Sequence, residues 1–192
     1  KSDISKQLNI ILVTRGRALM KGCKTGKSEY AGVTVQAKPE RRLLYTEQLQ
    51  CISDMIARLF GEEALLEQVS RVKSDQDEFM ACQTMTGDVT VFLGLAGTRD
   101  SLQTVASMYA RENFTLFDED SYDALCEIIN CINGTFATRL SEEEIRVSMY
   151  PPVYYLKPEM KAEDGCYKLS LLIRGIRVGI LLSVDGEVEI RS

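Results

Sequence analysis

Glu127, Asn130 and Gly134 sit in the stretch CEIINCING, residues 126–134. If residues 119–140 form a helix, Asp123, Glu127, Asn130, Gly134 and Thr138 fall within roughly 80° of one another around it. Glu127 and Asn130 are spaced i and i+3, so a carboxylate and an amide can point at one spot. A carboxylate can pair with a cation. An amide can donate to and accept from a single water, which fixes that water's direction. Gly134 lies one turn further along the same face. A mid-helix glycine costs ~1 kcal/mol against alanine and marks a place where another body comes close. A solvated polar face is the plain alternative, since many surface helices carry such pairs.

The cysteines of the same stretch do not make a metal site. Cys126 and Cys131 are five residues apart, about 140° round a helix, and cannot share an ion unaided. The chain has six cysteines (Cys23, Cys51, Cys82, Cys126, Cys131, Cys166), no C-x-x-C pair and no histidine. We therefore expect no metal site and reduced thiols that pack as small apolar residues, as in a cytoplasmic protein. The absence of histidine also excludes phosphohistidine relays and Ser-His-Asp or Cys-His catalysis.

A polar face works only if a core holds its helix still. Tyr122, Leu125, Ile129, Ile132, Phe136 and Leu140 form an apolar stripe on the opposite side, after an acidic first turn that Asp118 or a neighbour can cap. A second long helix begins at Pro39, buries Tyr45, Leu49, Ile52, Ile56, Leu59 and Phe60, and stops at Gly61. EFMACQTM and VTVFLGLA read as a hairpin turning at Thr86-Gly87-Asp88, and YKLSLLIRG and IRVGILLSV as another turning near Gly175. A helix over 99–112 and an extended IRVSMYPPVYYL lie between them. Residues 62–77 read as a charged connection.

The long helices align without gaps. EQLQCISDMIARLF (47–60) matches EIINCINGTFATRL (127–140) at Glu47/Glu127, Cys51/Cys131, Ile52/Ile132 and Ala57/Ala137, with Gln50 opposite Asn130. Duplicated helix-plus-hairpin units predict an α+β layered fold, one antiparallel sheet with long helices packed on it.

The 192 residues allow one domain with an appendage, and the 45% hydrophobic content can supply a core. No apolar run reaches the ~18–20 residues of a membrane helix, and no signal peptide is visible. The net charge of −5 and the scattering of 23 basic residues argue against nucleic acid as partner. Residues 1–42 stand apart as a strand-rich appendage, with LNIILVT and YAGVTVQA flanking a basic, glycine-punctuated stretch. Residues 43–192 form the main domain.

The pattern E-x-x-N-x-x-x-G in EIINCING, preceded by DEDSYDALC and the TGDVTVFLGL hairpin and followed by PPV, resembles the CheX/CheC group of chemotaxis phosphatases. The likeness is closer to CheX and covers roughly residues 43–190. It implies a CheC-like fold and dephosphorylation of the phospho-aspartate of a CheY-type response regulator. By that resemblance Asn130 orients the attacking water and Glu127 pairs with the receiver's lysine, with Asp123, Gly134 and Thr138 forming the docking face. Mg²⁺ belongs to the receiver, and the chain has no cofactor of its own. CheC-like members carry two motifs and CheX-like ones a single motif. Glu47 and Gln50, with Asp54 in the place of Gly134, are accordingly a degenerate copy. A cytoplasmic homodimer joined through sheet edges is the implied state. A non-catalytic module that docks on a response regulator is the alternative. Residues 1–42 have no counterpart in a minimal CheX. LNIILVTRG faintly resembles a receiver's first strand, but Thr14 and Arg15 stand where a working receiver needs acidic residues.

Overall fold

The computed structural model describes residues 8–11, 32–35, 39–61 and 65–191, with side chains from residue 43 onward. Strands β1 (Leu8–Ile11) and β2 (Gly32–Val35) pair antiparallel as a two-stranded sheet of their own. The stretch between them, with Thr14, Arg15 and the resemblance to a receiver, lies outside the described residues.

Helix α1 spans Pro39–Phe60. Its proline occupies a first-turn position that needs no N–H. Gly61 closes the helix at φ +69°, its N–H donating to the Ala57 carbonyl at 2.9 Å. That left-handed backbone is why glycine stands there. Three strands follow, β3 (Leu65–Gln76), β4 (Phe79–Gly87) and β5 (Val91–Gly97), and then α2 (Arg99–Ala110). The second half runs α3 (Glu119–Glu142), β6 (Val147–Met149), β7 (Val153–Leu156), β8 (Glu159–Ile173), β9 (Ile176–Val184) and β10 (Val188–Arg191).

Strands β3 to β10 form one antiparallel sheet with β5 and β9 side by side at its centre. The hairpins β4–β5 and β8–β9 flank that seam. Each half gives its first strand away: β3 pairs with β8, while β6 and β7 pair with β4. The order helix, donated strand, hairpin occurs twice, matching the repeat between 47–60 and 127–140.

Two strands are not foreshadowed by the sequence pattern. Residues 65–76 are not a connection but a 12-residue edge strand. Their charge suits an edge, where charged side chains discourage pairing with other chains. It is also matched across the sheet: Arg177 donates to Glu67 at 2.6 and 3.0 Å, and Lys168 to Asp75 at 2.6 Å and Asp77 at 2.9 Å. β10 is the second such strand, and β8 begins at Glu159 rather than at Tyr167.

The strand period of two sends alternate residues to two cores. Phe79, Ala81, Met85, Leu93, Leu95, Leu169 and Leu171 face the helices, against Ile52 and Ile56 of α1 and Ile129, Ile132 and Phe136 of α3. Met80, Cys82, Phe92, Ala96, Met160, Cys166 and Leu181 form a smaller cluster on the other face. Among the described residues no helix is long and apolar enough to cross a membrane.

Candidate functional site

α3 is anchored along its whole buried side. Leu125, Ile129 and Phe136 are 0% exposed, and Ile132 and Leu140 are buried beside them. The stripe is wider than the sequence suggests and includes Ile128 and Asn133. Tyr122, expected within it, is half-buried. Its ring stacks on Tyr154 of β7, centroids 3.7 Å apart, and its hydroxyl donates to the Phe117 carbonyl at 2.9 Å. Asp118 holds the N-cap position without a side-chain bond to the helix.

The other face of α3 carries the sequence candidates. Asn130, half-buried, donates from Nδ2 to Oε2 of the exposed Glu127 at 3.3 Å. The carboxylate and amide therefore meet as their i, i+3 spacing requires. The Cys131 thiol lies 3.7 Å from the other Glu127 oxygen. Burial, and then the Glu127 carboxylate, push that thiol above its usual range. Burial likewise raises Cys126 to about 11 and Cys82 to about 12. These are protonated packing thiols at neutral pH, and the five described cysteines carry no disulfide.

Gly134 opens outward. A Cβ placed on it meets nothing within 4 Å, so no contact with the described residues demands a glycine there. Asp123 and Thr138 are exposed on the same side, and the Thr138 hydroxyl turns back to the Gly134 carbonyl at 2.9 Å. The surface between Glu127 and Thr138 is thus low, polar and open.

The corresponding face of α1 is occupied. Arg139 of α3 reaches across to Glu47 at 3.3 Å and to Asp54 at 2.8 Å. Gln50 donates to Asp54 at 2.7 Å. Glu47 and Gln50 each have a different partner within the chain.

Sequence reasoning missed a buried row of amides behind Asn130. Gln48 of α1 donates to Asn133 at 3.0 Å, Asn133 donates to Gln83 of β4 at 2.9 Å, and Gln83 donates to Asn130 at 3.1 Å. Gln48 and Asn133 are 0% exposed and Gln83 is 2% exposed. A signal was present. On the helical wheel Asn133 lies about 20° beyond Leu140 and Gln48 about 20° beyond Leu59, each at the margin of its helix's apolar stripe. A polar residue that borders an apolar stripe and is buried with it has to find a hydrogen-bonding partner.

Residues 79–173 match the family model described as chemotaxis phosphatase CheX. That span runs from the first residue of β4 to the last of β8. No curated protein matches the sequence. Several solved structures share the fold at low identity. The chemotaxis protein CheX of Desulfovibrio desulfuricans superposes with a TM-score of 0.63 at 12% identity, over 74% of this chain and 99% of that one. CheX of Vibrio vulnificus gives 0.60 at 14%, over 74% and 99%. CheX of Borrelia burgdorferi, in a structure of its complex with CheY, BeF3 and Mg²⁺, gives 0.53 at 16%, over 78% and 98%. The stretch that holds Glu127, Asn130 and the strands behind them matches the CheX family model, and the chain around it has a CheC-like fold.

Proposed function

We propose that the chain hydrolyses the aspartyl phosphate of a CheY-like receiver, with α3 as the docking helix. The observation that carries the reading is the Asn130–Glu127 pair on an exposed helix face beside the open Gly134, within a CheX domain. Asn130 keeps one Nδ2 hydrogen and one Oδ1 lone pair beyond its bonds to Glu127 and Gln83. That is the donor and acceptor needed to orient one water. The water oxygen attacks phosphorus, the bond from phosphorus to the aspartyl oxygen breaks, and the aspartate carboxylate leaves. The water's protons pass to solvent and inorganic phosphate. Glu127 pairs with the receiver's lysine, a charge-assisted contact that fixes the distance between the proteins. Asp123, Gly134 and Thr138 line the docking face. Phosphoryl transfer asks mainly for positioning and charge stabilisation, so two placed side chains can suffice. Mg²⁺ on the receiver neutralises charge on the phosphoryl oxygens.

The first copy takes no part in this reading, because Arg139 and Asp54 already hold Glu47 and Gln50. A homodimer joined through the β6–β7 edge also fits: Met149, Tyr150, Val153 and Leu156 are 41–57% exposed there. Sedimentation of the chain and of Val153→Lys tests it, the variant running as monomer. With a cytoplasmic receiver as substrate, the chain works in the cytoplasm.

The deciding experiment follows phosphate loss from a phosphorylated receiver of the same genome. Wild type should accelerate it, and Asn130→Ala and Glu127→Ala should abolish most of the acceleration while remaining folded, by ~10²-fold or more. Undiminished turnover by Asn130→Ala would sink the mechanism. Binding without acceleration would leave a docking module.

A further inference from the structure

We infer that Gln83 is a positioning residue that sets which end of the Asn130 amide faces out, an assignment that rests on the phosphatase reading above for its catalytic consequence. Asn130 is only half-buried, and an amide on a surface helix can present either its oxygen or its nitrogen. The row of hydrogen bonds behind it removes that freedom.

The constraint originates at the Tyr150 carbonyl, which can only accept. It lies 2.8 Å from Gln83 Nε2, which fixes the nitrogen of Gln83 on that side. The second hydrogen of the same nitrogen goes to Asn130 at 3.1 Å, so the Asn130 atom facing inward must be its oxygen. Nδ2 is thereby turned outward to Glu127. The remaining end agrees: Gln83 Oε1 accepts from Asn133, whose own oxygen accepts from Gln48. All the bonds in the row run in one direction and end on a carboxylate, the arrangement in which successive bonds reinforce one another.

The Pro-Pro step explains why the Tyr150 carbonyl is available. On β4, Met85 pairs with Met149 and Cys82 with Val153, so four steps on the edge strand oppose three on β4. The extra residue falls at Pro151–Pro152, opposite Gln83. Neither proline has an N–H, so the ladder breaks there as a bulge. The Tyr150 N–H still reaches the Thr84 carbonyl at 3.0 Å, while its own carbonyl serves the Gln83 side chain.

Gln83→Glu is the informative change, since shape is kept and the donor is lost. As a carboxylate it can still accept from Asn133, but it repels Tyr150 O and Asn130 Oδ1. The Asn130 amide should then turn over. NMR reads this directly, without reference to activity. In wild type, NOEs should connect an Asn130 Hδ2 proton to the Glu127 γ-methylene. In Gln83→Glu they should move to the γ-methylene of residue 83. In the phosphatase assay kcat should fall by ~10²-fold with KM for the phospho-receiver unchanged, because the docking surface is intact. Burial beside two acceptors raises the introduced carboxyl's pKa, so the ratio of variant to wild-type kcat should recover on acidification, as protonation restores a donor. Gln83→Met is the control: it removes donor and acceptor, and its kcat loss should not depend on pH. An Asn130 amide that keeps its wild-type NOEs in Gln83→Glu overturns the inference. So does a turned amide with unchanged kcat, or a loss that appears only as lower thermal stability. If wild type itself leaves the phospho-receiver untouched, the phosphatase reading fails, and the NOEs still decide whether Gln83 orients Asn130.

Discussion

Asn133→Ala tests whether the buried amide row holds the helices to the sheet. Asn133 is fully buried between two other amides. Truncation strands Gln83 Oε1 and Gln48 Nε2 in the core, and each stranded group costs about 1–3 kcal/mol. The expected loss is therefore about 4 kcal/mol, or a fall of roughly 10 °C in Tm for a domain of this size. Gln48→Met should cost much less, about 1 kcal/mol, because Gln48 Oε1 has no partner among the described residues and its removal offsets the bond lost to Asn133. Urea denaturation with the m-value held constant measures both changes. A loss below about 0.5 kcal/mol for Asn133→Ala, or equal losses for the two variants, would refute the reasoning.

Gly134→Ala should stabilise the chain by up to ~1 kcal/mol, since its Cβ meets nothing, yet weaken receiver binding in calorimetry if that face docks. Arg139→Ala should cost no more than ~1 kcal/mol, because its ion pairs are partly exposed, and should leave dephosphorylation unchanged. Burial, reinforced by Asp75 and opposed by Lys168, raises Asp77 to about 6 from 3.8. The folded state then binds that proton more tightly than the unfolded state does. Its contribution to stability is full below 3.8 and lost as pH rises through about 6, and Asp77→Asn should flatten the stability profile across that window. Brief alkylation at pH 7.5 should leave Cys51, Cys82, Cys126 and Cys166 unmodified in native protein, as burial holds these thiols at about 11–12.

Periodicity made the helices and hairpins legible, because apolar residues spaced three and four apart, as at Leu125, Ile129, Ile132 and Phe136, reach one common side only when the backbone is helical. It also placed Glu127 and Asn130 together, since i, i+3 spacing is a local property. β3 was hidden for the opposite reason. An edge strand solvated on one side and paired by charge across the sheet carries no apolar alternation. The amide row joins residues up to 85 positions apart, so spacing could set Gln48 and Asn133 at the margins of their apolar stripes but not show which groups received them. Nor could it reveal that Arg139 reaches Glu47, a contact across two helices that leaves the two similar-looking pairs in different surroundings.

The exchange of outer strands has a consequence for how the chain comes into being. β3, made early, finds its described partner only in β8, some ninety residues later, as the register of Arg71 with Tyr167 illustrates. Contacts so distant along the chain carry a large loop-closure penalty and slow the folding step. During synthesis the first half must wait with an unpaired strand and an open β5 edge until β8 and β9 arrive. A nick in the loop between α2 and α3 should therefore give two fragments that are each unstructured alone and that refold when mixed. Two halves of similar order thus make a molecule that cannot be divided into them.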